Sequence, residues 1–228
     1  MYRHKYGDIT ATWERMSDLD ARHGWMPPAV AFLGSIYVVG SGGGRGWISK
    51  AVSRYDPSLK QWKELKDKKI ATNGSAIVTS NGFLYCIGGY NGEAIDGTDR
   101  VERLEIASQT WDEVTPMIEM RHRSSAVECN GEIIVAGGWY RGKRVDSVEK
   151  YDPGVNQWTS MKPMTEGRSS FRLHLIQGSI FAIGGDIEHK TIERYDFSND
   201  RWENIRVGSE MRIQESVLVR KKNRNKLN

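Results

Sequence analysis

The sequence predicts an all-β chain, a β-propeller of four-stranded antiparallel blades with four complete blades and an incomplete fifth. Three observations predict it. Trp13, Trp62, Trp111, Trp158 and Trp202 recur at intervals of 49, 49, 47 and 44 residues, and a fixed period of that size marks repeated supersecondary units. Seven residues before each tryptophan stands an aromatic or aliphatic residue followed by a polar or small one: Tyr6-Gly7, Tyr55-Asp56, Leu104-Glu105, Tyr151-Asp152 and Tyr195-Asp196. Upstream of these pairs lie the glycine doublets Gly88-Gly89, Gly137-Gly138 and Gly184-Gly185, with a looser first copy, Gly40-Ser41-Gly42.

Each unit reads as four strands. The first two flank a tight turn, as in Asn81-Gly82 and Asn130-Gly131, because a type I′ hairpin needs positive φ at both central residues. Strand-like runs flank the turns: 76–79 with 83–87, 126–127 with 133–136, and 172–176 with 180–183. The second run of each pair is almost continuously apolar, as expected of a strand covered on both faces. The doublet at its end suits close backbone approach. The third strand ends at the Tyr-Asp pair, as in 147–151, and Asp56-Pro57 and Asp152-Pro153 then turn the chain. The fourth strand carries the tryptophan, read as a core residue between blades. Four-stranded sheets repeated about an axis are propeller blades.

Apolar run, Gly-Gly, variable loop, Tyr-Asp and Trp together resemble the kelch repeat over roughly residues 1–219. Leu104-Glu105 and Gly40-Ser41-Gly42 depart from that pattern, and those copies are expected to pack slightly differently. The predicted organisation is a propeller over 1–219, with a partial blade at 1–13, blades at about 14–62, 63–111, 112–158 and 159–202, a partial strand within 203–219 and a disordered basic tail at 220–228. The ends supply three strands of a fifth blade but no second apolar run with its doublet. Such an unpaired edge is a liability, so the expectation is a piece of a larger propeller. A small ring of four to five units and self-association through open edges are the alternatives.

Composition narrows the class. The net charge of +4 is concentrated at one end: without residues 220–228, which hold five basic side chains and no acid, 28 basic residues face 29 acidic ones, a net of −1. A nucleic-acid role therefore has little support. Cys86 and Cys129 occupy non-equivalent positions, so reduced thiols are expected. No apolar run is long enough to span a membrane, and cytoplasmic residence is the default, with cytoskeletal or nuclear sites as variants. An enzyme is the competing class. His4, His23, His122, His174 and His189 form no local metal spacing, and there is no nucleophile elbow or phosphate loop. Neither catalysis nor a cofactor or metal is expected.

Function is expected in the loops, where the copies differ. The segments after each doublet and those before each first strand should open on one face. In kelch-like substrate receptors the arginine or serine before the first strand and the aromatic after Gly-Gly line a peptide pocket. The resemblance carries this onto Arg121, His122, Arg123, Ser124, Arg168, Ser169 and Ser170, and onto Tyr90, Trp139 and Tyr140. Arginines among aromatics are typical of interface hot spots, and guanidiniums suit carboxylates or phosphates. The expected partner is an acidic or phosphorylated protein segment. The bland alternative is that these arginines pair with acids such as Glu119, Glu149 or Glu166. The resemblance implies a substrate receptor for a cullin-based ubiquitin ligase, reached through BTB and BACK domains outside the propeller. Its second implication is an actin-binding cytoskeletal scaffold.

Overall fold

The computed structural model describes residues 17–24, 26–43, 47–92, 96–185 and 191–205, together with four short strands nearer the ends. In chain order the elements begin with β1 (Tyr2–Arg3), β2 (Glu14–Arg15) and a 3-10 turn (Ala21–His23). Blade I holds β3 (Ala29–Phe32), β4 (Ser35–Val39), the ribbon β5 (Gly42–Gly43) and β6 (Trp47–Ile48), then β7 (Val52–Asp56) and β8 (Gln61–Glu64). Blade II holds β9 (Ala76–Ser80), β10 (Phe83–Ile87), β11 (Val101–Glu105) and β12 (Thr110–Val114). Blade III holds β13 (Ser125–Cys129), β14 (Glu132–Ala136), the ribbon β15 (Trp139–Tyr140) and β16 (Lys143–Arg144), then β17 (Val148–Asp152) and β18 (Gln157–Met161). Blade IV holds β19 (Phe171–Ile176), β20 (Ser179–Gly184), β21 (Ile192–Asp196) and β22 (Arg201–Ile205). Strands β23 (Met211–Gln214) and β24 (Val217–Arg220) follow.

Each blade is an antiparallel meander whose strands pair in chain order. The innermost strands β3, β9, β13 and β19 pack side by side. The first hairpins all turn through two residues of positive φ: Leu33-Gly34, Asn81-Gly82, Asn130-Gly131 and Gln177-Gly178. Only two of these read Asn-Gly, so hairpin geometry imposes the left-handed pair even on Leu33 and Gln177.

The core lies between blades. Tyr37, Val39 and Val52 of blade I meet Leu84, Leu104 and Trp111 of blade II. Val78, Tyr85 and Ile87 meet Ile133, Tyr151 and Trp158 of blade III. Ile134, Val148 and Met164 meet Phe171, Tyr195 and Trp202 of blade IV. Each tryptophan also braces two blades through its indole N–H. Trp111 donates to Lys66 O at 2.8 Å, Trp158 to Thr115 O at 2.8 Å and Trp202 to Lys162 O at 3.1 Å. The residue seven positions earlier sits opposite on the neighbouring strand, and Tyr55–Trp62, Tyr151–Trp158 and Tyr195–Trp202 stack with centroids 5.2, 5.0 and 5.3 Å apart. Leu104 opposite Trp111 keeps the register without the ring contact.

Trp62 of blade I donates in the same way to Ser17 O at 3.1 Å. Ser17 thus stands toward Trp62 as Lys66, Thr115 and Lys162 stand toward Trp111, Trp158 and Trp202. Trp13, Tyr6 and Gly7 lie outside the described residues.

Two expectations are corrected. The outer strands run past their tryptophans to Glu64, Val114, Met161 and Ile205, so breaks placed at the tryptophans would cut sheets. The single strand expected within 203–219 is instead a hairpin, β23 with β24 in antiparallel register. The second strand needs no glycine doublet to pair. Arg220, assigned to the tail, ends that hairpin.

Trp158→Ala is expected to cost about 3–5 kcal/mol by opening the seam between blades II and III. Trp158→Phe, which loses chiefly the indole hydrogen bond, should cost about 1 kcal/mol. Denaturant melts of the two variants check the order.

Candidate functional site

The glycine doublets stitch one blade to the next. Gly89 N donates to Arg121 O at 2.9 Å and Gly138 N to Arg168 O at 2.7 Å. A Cβ on Gly137 would lie 2.5 Å from Arg168 O, so no side chain fits there. In the first copy Ser41, at φ +83, takes the place of the second glycine, and its N–H reaches Thr72 O at 3.1 Å.

The residue approached by each doublet is the root of a buried clasp. Arg121 and Arg168 are both 0% exposed. Arg121 Nη2 meets Glu149 Oε1 at 2.6 Å, and its Nη1 donates to Gly137 O at 2.8 Å and to Ser147 O at 3.1 Å. Arg168 Nη2 meets Glu193 Oε1 at 2.8 Å, and Nη1 donates to Gly184 O and Thr191 O. The acid is the second residue of the third strand in both blades. It also accepts from the backbone of the incoming loop: Glu149 from Ile118 N at 2.7 Å, Glu193 from Thr165 N at 2.6 Å. Burial therefore removes Arg121 and Arg168 from the partner-binding set, along the lines of the bland alternative.

The other two blades vary the same clasp. Blade II places Lys68 opposite Glu102 at 3.9 Å, with Lys68 Nζ donating to Ile70 O and Thr72 Oγ1. Burial pushes the Lys68 ammonium pKa down and the Glu102 carboxyl pKa up. Blade I uses neutral groups: His23 sits 3.3 Å from Gly40 O through Nδ1 and 2.8 Å from Ser53 Oγ through Nε2. Burial lowers the His23 pKa, consistent with a neutral ring that donates to the carbonyl and accepts from the hydroxyl.

The remaining candidates gather on the loop face. Asn73 bridges to Tyr90 and His122 bridges to Trp139 through paired backbone bonds. The Tyr90 and His122 rings lie 6.2 Å apart, so the row Asn73, Tyr90, His122, Trp139 crosses from blade II to blade III, each residue half-buried. The ribbon β15–β16 extends it with Tyr140 under Arg141, whose guanidinium carbon lies 5.0 Å from the ring centroid. Arg141 N donates to Asp96 Oδ1 at 2.5 Å, which anchors the ribbon turn. Arg141 and Lys143 are exposed. Burial, then the nearby Arg123 charge, lowers the His122 pKa.

Arg123 and Ser170 are exposed, whereas Ser124 and Ser169 are 5% and 1% exposed. Arg123 N donates to Gly74 O at 2.7 Å and Ser170 N to Arg123 O at 2.9 Å, a chain of bonds around the axis. The structure thus brings Tyr90, His122, Arg123, Ser170, Trp139 and Tyr140 to the accessible face. Sequence reasoning missed Arg172, Met26 and Pro28, which line one cleft with Arg123 and Ser170. The repeat register could have found Arg172, because it aligns with Ala76 and Ser125 at the start of the first strand. The loop residues Asp186, Ile187, Glu188, His189 and Lys190 lie outside the described residues, as do His4 and Trp25. Among the described residues no group of three or more His, Cys, Asp or Glu side chains is placed to hold a metal. Cys86 and Cys129 are buried free thiols, with Cys86 pushed up to about 12 by burial. No helix among the described residues is long and apolar enough to cross a membrane.

The family described as Kelch motif matches residues 71–118, 120–165 and 167–206. The chain belongs to the kelch-repeat family, and its propeller is a kelch protein-interaction domain. It is 29% identical to Kelch-like protein 26 of Danio rerio over 181 residues, covering 75% of this chain and 29% of that protein. It is 26% identical to Kelch-like protein 34 of Homo sapiens, covering 75% of this chain and 28% of that protein. Beta-scruin of Limulus polyphemus is 25% identical over 85% of this chain and 23% of its own length. The chain thus spans under a third of the length of these relatives. The solved structure of YjhT superposes with a TM-score of 0.75 at 15% identity, covering 92% of this chain and 78% of that one, a likeness of fold alone.

Arg168→Ala should cost about 3–5 kcal/mol, because Glu193 is left buried and uncompensated. Arg123→Ala, on the surface, should stay within about 0.5 kcal/mol. Chemical denaturation distinguishes the two. His23 has a folded pKa below 6.5, so the unfolded state binds more protons and stability falls as pH drops through 6.5 toward the folded value. His122 acts in the same direction. Melting temperature between pH 7.5 and 5 should fall less steeply in His23→Gln than in the parent chain.

Proposed function

We propose that the loop face captures an acidic protein segment, in the manner of the substrate-recognition propeller of a cullin-based ubiquitin ligase adaptor. The observation that carries this is the row Tyr90, His122, Trp139 and Tyr140, continued by exposed Arg141 and Lys143. Rigid aromatic area flanked by guanidinium and ammonium groups is hot-spot chemistry for an anionic partner. The backbone bridges at Asn73–Tyr90 and His122–Trp139 hold the aromatics in place before a partner arrives, which limits the ordering cost of binding. The adaptor role rests on family membership and requires ligase-recruiting domains that this propeller does not itself supply.

An actin-binding scaffold is the second reading. It is favoured by Leu33, Leu59, Val155 and Phe197, which are 82%, 68%, 62% and 47% exposed on the turns of the opposite face.

The two readings separate experimentally. Fused to a BTB–BACK module, the propeller should direct ubiquitination of the protein it captures, and Trp139→Ala with Arg141→Glu should abolish both capture and transfer without lowering the melting temperature. Capture unchanged by the double variant would refute the loop-face site. Co-sedimentation with filamentous actin that survives these changes but is lost in Leu59→Asp with Val155→Asp would establish the scaffold reading instead.

A further inference from the structure

The seam between blades II and III is filled with aromatic rings at its turn end, and the seam between blades III and IV is not. The two seams correspond residue by residue, because Tyr85 lies opposite Arg103 in blade II as Ile134 lies opposite Lys150 in blade III. In the first seam Tyr85 meets Tyr151 edge-on with centroids 6.0 Å apart, and Phe83 lies 6.3 Å from Tyr85. The Arg103 guanidinium carbon covers the Phe83 ring, 4.5 Å from its centroid. Asn156 closes the mouth, its Oδ1 accepting from Tyr151 Oη at 2.8 Å and from Thr115 N at 3.1 Å.

In the next seam the same places hold Glu132 for Phe83, Ile134 for Tyr85, Lys162 for Thr115 and Asp200 for Asn156. Where the two rings stood there is a cleft of about 620 Å³, with Ile134, Met161, Tyr195 and Phe197 along it and Glu132, Lys150 and Asp200 beside them. A second observation concerns Phe197. It follows the Tyr-Asp pair where blades I and III have Pro57 and Pro153. Its turn is already held by Asp196, which accepts from Ser198 N at 2.9 Å and Asn199 N at 3.3 Å. Phe197 is 47% exposed, and its ring stands at 88° to that of Tyr195 with centroids 4.9 Å apart. The turn needs no aromatic residue there, so the ring serves as one wall of the cleft.

We propose that this cleft is a docking site for an aromatic side chain of a partner protein, a tyrosine or tryptophan whose O–H or N–H donates to Asp200. The neighbouring seam supplies the shape and chemistry that the place accepts. A ring there meets Tyr195 and Phe197 by the edge-on contacts that aromatic rings prefer, and Lys150 can cover it as Arg103 covers Phe83. The Asp200 carboxylate is exposed and accepts from Tyr195 Oη alone among the described residues. A carboxylate forms a stronger hydrogen bond than a neutral oxygen does. The volume falls within the range of binding sites, about 300–1,000 Å³. The cleft shares no residue with the aromatic row of the loop face, so the inference goes beyond the capture reading.

Nuclear magnetic resonance titration of the full chain tests this with end-blocked Gly-Gly-Xaa-Gly-Gly peptides, where Xaa is Tyr, Trp, Phe or Leu, and with p-cresol. The Tyr and Trp peptides should shift the amide signals of Ser160 and Met161 and bind more tightly than the Phe peptide, with the Leu peptide weakest. Asp200→Asn, which reproduces Asn156, should weaken the Tyr peptide about fivefold through lost charge assistance and leave the Phe peptide unchanged. Glu132→Phe with Ile134→Tyr rebuilds the filled seam and should abolish peptide binding without lowering the melting temperature. Trp139→Ala with Arg141→Glu should bind the Tyr peptide as the parent chain does, so the cleft and the loop-face site stand or fall separately. The site is overturned by Tyr and Leu peptides bound alike, by a Tyr peptide indifferent to Asp200→Asn, or by binding that survives in the filled seam. Loss of binding in Trp139→Ala with Arg141→Glu overturns it too. Binding of p-cresol tighter than that of the Tyr peptide would assign the cleft to a small phenol and overturn the protein partner.

Discussion

The propeller depends on a clasp repeated at the root of each blade. In blades I, III and IV a buried side chain entering from the loop reaches the first doublet carbonyl and the second residue of the third strand, whereas in blade II Lys68 faces Glu102 and Ser75 donates to the Gly88 carbonyl. Arg121–Glu149 and Arg168–Glu193 make it with full charges, at 2.6 and 2.8 Å. Lys68–Glu102 makes it at 3.9 Å with help from Thr72. His23 and Ser53 make it without a salt bridge. The series separates what the fold requires from what it tolerates. The doublet carbonyl and the loop amides must find partners, because a buried backbone group left alone is costly. Net charge is optional, in keeping with the small or negative net return of ion pairs taken out of water.

That clasp explains why the loop face can carry variable chemistry. The incoming loop is pinned by its amides to Glu102, Glu149 or Glu193, and the outgoing ribbon is pinned by the doublet. Residues between the pins, such as His122, Arg123, Trp139 and Arg141, are held in position while making few structural commitments of their own. The accessible face therefore divides into two chemistries a short distance apart. An aromatic row with a basic flank spans blades II and III, and the guanidiniums of Arg123 and Arg172 share a cleft. Residues two apart in one loop part company in burial: Arg121 is sealed in the clasp, whereas Arg123 is exposed and its backbone bonds to Gly74 and Ser170.

The tryptophans carry the second layer of order. Each closes an apolar seam and ties it with one indole hydrogen bond to the preceding blade. The equivalent bond from Trp62 to Ser17 O ties blade I to the segment that precedes it.

Much of this was legible from residue order alone. The period of the tryptophans, the seven-residue offset and the doublets determined an all-β repeat fold, the hairpin turns and the strand pairing, because those features are local and their spacing is set by strand length and turn geometry. Tyr90, Trp139 and Tyr140 could be placed on the loop face for the same reason. Which arginine is buried was not legible. Arg121, Arg123 and Arg168 look alike in a loop, and their roles are decided by the third-strand acid that folding brings opposite two of them, 28 and 25 residues away. Nor could the pair Arg123 and Arg172 be read in advance, since they belong to different blades and share a cleft only once the inner strands pack side by side. Local pattern determines the blade, and closure about the axis decides which charges are sealed inside and which are left facing a partner.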